Sequence, residues 1–146
     1  MSKLVQAFLV GMFSTFILDF FLFLGIKLNY INFYEIDLYY NILFADHQNI
    51  LLYGVSTLIL GALITYVDNN KLSAIVMSTL FVLVSLTLIP SVGKYVGEMM
   101  LMQKNVVLQD NKHTFHGDIY YDGRKQITFY DYELKKMILL NKKDLK

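Results

Sequence analysis

Three long apolar runs occupy most of the first two thirds of the chain. They cover residues 4–26, 50–67 and 72–93, and Asp19 is the one charged residue among them. The hydrocarbon core of a bilayer is about 30 Å thick, which a helix crosses in about 20 residues. The pattern therefore predicts a transmembrane region of three helices within residues 1–103. The first run exceeds the roughly 7–15 apolar residues of a signal peptide, so we expect it to be a retained span.

Polar residues mark how the second and third runs connect. Residues 68–71, Asp-Asn-Asn-Lys, leave room only for a tight turn, so we expect the two runs to form an antiparallel helical hairpin. Pro90 lies about one turn before the end of the third run, and a proline inside a helix removes a backbone hydrogen bond. We therefore expect a kink near Pro90, with the helix continuing beyond it into the aqueous phase.

The connection 27–49 between the first two runs is aromatic but also carries charges. Tyr34, Tyr39 and Tyr40 lie among acidic residues that make this segment a poor span. Tyrosine favours the headgroup region of a bilayer, where its ring is half-buried and its hydroxyl is wet. Two interpretations stay open: a short helix lying in the interface, or an aromatic loop packed on the helices. The three tyrosines are candidate interface residues.

The pattern changes at about residue 104, where apolar and polar positions alternate and charges become frequent. The alternation predicts strands near 105–109, 115–121, 126–130 and 136–140, which form a small extramembrane β-meander over residues 104–146. Asp122-Gly123 is a hairpin turn signal within it. Such a short domain is marginally stable alone, so we expect it to pack on the helices, on another copy or on a partner. The predicted fold is thus a membrane α-helical protein with a small C-terminal antiparallel β domain.

Small and polar residues recur at helical spacing along the three runs. In lipid, such stripes let helices approach closely, because association there depends on close packing and interhelical hydrogen bonds. The members are Gly11, Ser14 and Thr15 in the first run, Gly54, Thr57 and Gly61 in the second, and Ser78 and Ser85 in the third. We expect them to line the seam of a three-helix bundle, and the alternative is a docking face for another protein.

Asp19 ends the stripe of the first run. An ionised aspartate at the centre of a membrane helix costs about 2.5–3.5 kcal/mol, so its position calls for a partner. The structural interpretation is a neutral or hydrogen-bonded acid that ties the first run to a serine or threonine of another span. The functional interpretation is a proton or cation site, or a pair with a basic residue of a partner. Because the three runs hold no second charged residue, we favour a structural or partner-binding role over ion coupling.

The polar tail offers two further candidates. His113, His116 and Asp118 form an HxxHxD cluster, but on a strand the two histidines point to opposite faces. We therefore expect a polar surface there, no metal site and no cofactor. Arg124 and Lys125 follow the hairpin turn and contribute to a basic bias of the tail. This bias is usual for a solvated face, and the alternative is contact with anionic headgroups or an acidic partner. The net charge of +1 gives no indication of nucleic-acid binding.

Charge near the ends of the runs predicts the topology. The side of the tail carries Lys27, Lys94, Lys104 and Lys112, against Lys3 and Lys71 on the other side. The positive-inside rule then favours a cytoplasmic tail in an integral multi-pass protein of an inner or plasma membrane. We expect a non-catalytic accessory, scaffold or assembly subunit that contacts the lipid bilayer and other membrane proteins or copies of itself. The alternatives are a transport or proton-coupled subunit using Asp19, and a membrane-embedded enzyme.

Overall fold

The computed structural model describes residues 2–110 and 113–145, in which five α-helices precede a four-stranded sheet. The helices are α1 (Lys3–Ile26), α2 (Tyr40–His47), α3 (Ile50–Tyr66), α4 (Asn70–Ser85) and α5 (Pro90–Leu101). The strands are β1 (Gln103–Gln109), β2 (Thr114–Asp122), β3 (Gln126–Asp131) and β4 (Lys136–Asn141). Lys112, which entered the charge comparison above, lies outside the described residues. The predicted combination of apolar helices and a C-terminal antiparallel sheet is confirmed.

Within the described residues, two helical segments are long and apolar enough to cross a membrane. Helix α1 continues through a π-helical turn, so the first segment is Lys3–Ile31, and the second is Asn70–Leu88. A third span results if α2 and α3, bent by 85° at the corner between them, count as one. The length and composition of the helices thus give two or three candidate spans, where the apolar pattern predicted three.

The side chains of Asn49 and Asn69 cap the N-termini of α3 and α4. Asn49 Oδ1 accepts hydrogen bonds from two backbone N–H groups in the first turn of α3, at 3.0 and 3.1 Å, and Asn69 Oδ1 accepts one from the first turn of α4 at 3.2 Å. These bonds satisfy donors that have no partner inside the helix. Beyond the turn, Ser73 donates to the Leu63 carbonyl at 3.1 Å, which ties the start of α4 to the end of α3.

The third apolar run does not form one kinked helix. Helix α4 ends at Ser85, a 3₁₀ turn covers Leu86–Leu88, and Pro90 lies in the first turn of α5. Proline suits that position because its missing N–H would have had no partner inside the helix, and its fixed φ is compatible with helix entry. The candidate span in this run therefore ends at Leu88 and not at the predicted residue 93, and Gly93 belongs to a separate helix.

Helices α1 and α3 pack with their backbones in direct contact. A Cβ added at Gly11 would collide with the carbonyl oxygen of Thr57, and one added at Gly61 would collide with that of Ala7. A Cβ added at Gly54 meets nothing within 4 Å in the part of the chain that the structure describes. Buried members of the α1 stripe also include Ser14 and Thr15. The seam thus joins the predicted stripes of the first two runs, except at Gly54.

Helix α4 is the least covered of the apolar helices. Its stripe is not part of a seam, since Ser78 is exposed and Ser85 is half-buried. The far end of α4 contacts α1 through aromatic rings, and the centroids of Phe21 and Phe81 lie 4.9 Å apart. Most of its apolar surface is therefore available to lipid or to another helix.

The end of α1 makes a second set of close contacts. Thr87 packs directly on Gly25, and Asn29 donates to the Thr87 carbonyl at 2.9 Å. Helix α5 crosses beyond it, with Gly97 against the ring of Tyr30, whose side chain is fully buried. Helix α1 therefore supports α3 along its first half and α5 beyond its last turn.

The strands form an antiparallel meander in the order β1-β2-β3-β4. Leu145, beyond β4, pairs with Asp110, beyond β1, and because β1 and β4 are the two edges, the sheet must curl to make this bridge. The inner face holds a small core around Ile119, Ile127 and Phe129. The predicted meander is confirmed, and the outer face of the curled sheet is left to contact the helices.

We predict that the α1–α3 seam tolerates no larger side chain. Gly11→Leu and Gly61→Leu force the two backbones apart, which is destabilising by about 1–3 kcal/mol. Gly54→Leu is the matched control, because its side chain enters open space. Thermal unfolding of the variants in one detergent measures the effect, and equal stability of all three would contradict the packing.

Candidate functional site

Tyrosine side chains attach the sheet to the end of α1. Tyr30, in the π-helical turn, donates to the carbonyl oxygen of Tyr120 on β2 at 2.7 Å. Tyr34 packs edge-on against Tyr120, with ring centroids 4.5 Å apart, and donates to Glu98 of α5 at 2.6 Å. Burial, together with this hydrogen bond, raises the pKa of Tyr34 above its usual value. The Tyr34 hydroxyl therefore keeps its proton and remains a donor at neutral pH.

Asp46, near the end of α2, is the second attachment point. Its side chain is 5% exposed and accepts a hydrogen bond from Tyr121 of β2 at 2.9 Å. Arg124, in the β2–β3 turn, pairs with the same carboxylate through Nε and donates through Nη2 to the Ala45 carbonyl at 3.1 Å. Burial and the hydrogen bond to Asp46 raise the pKa of Tyr121. Asp46, Tyr121 and Arg124 together form what we call the Asp46 clamp.

A groove lies between α2 and the sheet, beside the Asp46 clamp. Its volume is about 880 Å³, and small-molecule sites usually measure about 300–1,000 Å³. One wall is the chain before α2 together with the outer face of α2, and the other is the outer face of the sheet with the β2–β3 turn. Large apolar side chains along it include Ile36, Ile42, Met137 and Leu139. Volume and lining make it the leading candidate for a binding site.

The groove carries charges of opposite sign on its two walls. Glu35 and Asp37 lie on the wall before α2, and Arg124 and Lys125 lie on the β2–β3 turn. All four residues are exposed. Glu35 also has a φ of 53°, a left-handed conformation that residues other than glycine rarely adopt. Opposite charges above apolar surface suit a molecule that carries both charges and an apolar part.

The structure places the predicted interface residues in different environments. Tyr34, Arg124 and Lys125 line the groove, although the first is far from the other two in the chain. Tyr40 packs inward and donates to the Phe20 carbonyl at 3.1 Å, whereas Tyr39 is 73% exposed. The connection therefore contains a short helix and aromatic side chains packed on the helices, whereas a position in the bilayer interface stays a prediction.

Asp19 lies at the corner between α2 and α3. Gln48 Nε2 donates to Asp19 Oδ2 at 3.2 Å, so the partner is an amide of the connection and not the expected serine or threonine of another span. Tyr53, at the start of α3, donates to the Met12 carbonyl at 2.9 Å. These bonds hold the 85° corner against α1.

The histidines of the sheet do not converge on a common point. Among the described residues, no group of three His, Cys, Asp or Glu side chains is placed to hold a metal ion. His113 and His116 are exposed, while Asp118 accepts hydrogen bonds from Tyr132 Oη at 2.5 Å and from Asn105 N at 2.9 Å. The hydrogen bond to Asp118 raises the pKa of Tyr132. Asp118 thus fixes an irregularity of β1 at Asn105, whose φ is 55°.

Asp46 and Tyr121, which both line the groove, were not predicted from the sequence as site residues. Tyr120 and Tyr121 are adjacent, and strict alternation would send their side chains to opposite faces. A register shift between Ile119 and Tyr121 changes this alternation, and single sequences do not reveal such bulges. The pair of adjacent tyrosines before a hairpin turn was the one available signal.

The fold defines a helical protein with candidate membrane spans and a small curled sheet fastened to them. Comparisons of the chain with protein-family models, with curated proteins and with solved structures found no match. Its function is therefore argued from the helices, the Asp46 clamp and the groove.

We predict that Asp46→Ala loosens the sheet from α2. The variant leaves the Tyr121 hydroxyl without its acceptor, which costs about 1–3 kcal/mol for a buried polar group. Lys142→Ala is the matched control, since it removes the half-exposed ion pair with Asp122 and leaves the hairpin turn unchanged, at a cost of about 0–1 kcal/mol. Hydrogen exchange of the β2 and β3 amides, followed by mass spectrometry, measures the opening. Equal exchange in the two variants would contradict the clamp.

We predict that Asp19 acts at the α2–α3 corner as a hydrogen-bond acceptor. Asp19→Asn keeps an oxygen for Gln48 and leaves the corner closed, whereas Asp19→Leu speeds hydrogen exchange in α2 by up to about tenfold, the equivalent of one hydrogen bond. Exchange of the α2 amides in detergent measures both. If Asp19→Asn opens the corner as much as Asp19→Leu does, the acceptor role is wrong.

Proposed function

We propose that this chain is a non-catalytic integral membrane protein that acts as an accessory, scaffold or assembly subunit. In this proposal it holds a small β-sheet in a fixed position against the bilayer surface and contacts other membrane proteins or copies of itself. The observation that carries the proposal is the attachment of the sheet at separate points. Tyr30 and Tyr34 join it to α1 and α5, and the Asp46 clamp joins it to α2.

The position of α2 supports a location at the bilayer surface. Tyr40 of α2 contacts Phe20, which lies about 26 Å along α1 from Lys3 by helix rise. The hydrocarbon core measures about 30 Å. Helix α2 then lies near the second boundary of the bilayer, with the sheet beyond it, and the lysine distribution favours the cytoplasm for this side.

The outer surfaces of α3 and α4 support lateral contacts with other helices. Leu58 and Ile59 of α3 are 63% and 61% exposed, and Ile75 of α4 is 63% exposed. Gly54 and Ser78, two members of the predicted stripes, also face outward. Small residues on a lipid-facing surface permit the close approach of another helix, so these two positions are candidate contacts with a partner.

We predict that crosslinking in cells, followed by gentle detergent extraction, recovers the chain in a complex of defined mass. Gly54→Leu blocks close approach at the outer surface and lowers the crosslinked fraction severalfold, while the open space around Gly54 leaves the fold intact. Ile59→Leu is the control, because it changes an exposed side chain of the same helix without adding bulk. Recovery of the monomer alone, after crosslinking of the unaltered chain, would contradict the proposal.

A further inference from the structure

We propose that the groove between α2 and the sheet binds a phospholipid of the surrounding bilayer whose headgroup carries both a phosphate and a primary amine. The proposal rests on the membrane location argued above, but not on the assembly role. It assigns the phosphate to the basic wall of the groove, the ammonium to the acidic wall, and the acyl chains to the apolar surface between them and outside.

The basic wall suits a phosphate. Arg124 pairs with Asp46 through Nε and donates to the Ala45 carbonyl through Nη2. These contacts hold the guanidinium in place, and its other N–H groups remain to donate. Lys125 is exposed and takes part in no ion pair among residues 2–110 and 113–145. The guanidinium of Arg124 provides hydrogen bonds of fixed direction for phosphate oxygens. The ammonium of Lys125 provides a point charge on a flexible side chain.

The acidic wall distinguishes between headgroups. Glu35 and Asp37 would repel a headgroup that carries only negative charge, whereas a primary ammonium has three N–H donors for their oxygens. Quaternary ammonium groups lack these donors and are bound instead by several aromatic faces. Tyr34 is already engaged, since its ring packs against Tyr120 and lies 5.3 Å from Lys94 Nζ. The groove therefore favours an amine over a choline headgroup.

The apolar surface of the groove continues to the outside of the protein. Ile42 lines the groove and is 42% exposed, and Leu139 on the opposite wall is 66% exposed. Beyond α2, the start of α3 presents Ile50 and Leu51 at 85% and 76% exposure. These exposed side chains, at the groove and at the start of α3, give the acyl chains of a bound lipid apolar surface to contact.

The test uses the full chain in vesicles of phosphatidylcholine that contain a photoreactive phosphatidylethanolamine with its label on the acyl chain. Illumination is followed by mass spectrometry of the crosslinked peptides. We expect labelling at residues 36–42 and 137–139, competed by unlabelled phosphatidylethanolamine and much less by phosphatidylglycerol. Labelling spread over α3 and α4, or equal competition by the two lipids, would overturn the proposal.

Two variants test the groove directly. Lys125→Glu should lower groove labelling about fivefold, the equivalent of one exposed ion pair between a cation and a phosphate, and Lys143→Glu in the C-terminal turn is its control. Ala45→Trp fills the groove from α2, and Ala62→Trp on the exposed surface of α3 is its control.

Carbonate extraction of each variant separates the two proposals. A chain that is washed from the vesicles contradicts the membrane location, whereas a chain that stays in the vesicles with unchanged labelling in Lys125→Glu and Ala45→Trp contradicts the lipid site alone. A peptide of another protein crosslinked into the groove at the expense of lipid would also overturn it.

Discussion

The length of the first helical segment is the constraint on which the rest of the structure depends. Lys3–Ile31 comprises 29 residues and extends for about 40 Å by helix rise, against about 30 Å of hydrocarbon. In the proposed membrane location, a segment of this length both crosses the apolar layer and emerges from it, so its two parts meet different solvents. The two parts also make different kinds of contacts. The first half packs on α3 at Gly11, where the absence of a side chain lets the two backbones touch, and the end adds contacts through tyrosine side chains.

In the proposed membrane location, this division follows from what stabilises contacts on each side of the bilayer boundary. Within lipid there is no hydrophobic gain from joining two apolar helices, so backbone proximity at Gly11 and Gly61 supplies the packing. At the boundary water competes for polar groups, and tyrosine buries its ring while its hydroxyl finds an acceptor. Tyr30 does this inside the protein, with its side chain fully buried and its hydroxyl on the Tyr120 carbonyl. The transition from glycine to tyrosine contacts thus occurs along one helical segment.

Local patterns predicted the elements well, because each depends on neighbouring residues. The strands of the meander lie within two residues of their predicted bounds, since alternation and the Asp122-Gly123 turn determine them locally. The break at Pro90 was not predicted, because a proline near a helix end is compatible with a kink and with a new helix start. The groove was not predicted either, although Tyr34, Arg124 and Lys125 were named, since its walls meet only after α2 folds back beside the sheet. Long-range contacts such as Asp46 with Tyr121 leave no periodic trace in one sequence.

Helix α2 couples the groove to the rest of the molecule. Its inner face buries Leu43 completely and places Phe44 against Phe23 of α1, with ring centroids 5.4 Å apart. Its outer face lines the groove, and Asp46 near its end holds the sheet. Detachment of the sheet from α2 would separate the two walls, so a molecule that contacts both walls binds the attached state more tightly than the detached one. By linkage, such a molecule stabilises the attachment to the extent of that difference in affinity, and the small sheet, whose own core is thin, depends on the same contacts that form the groove.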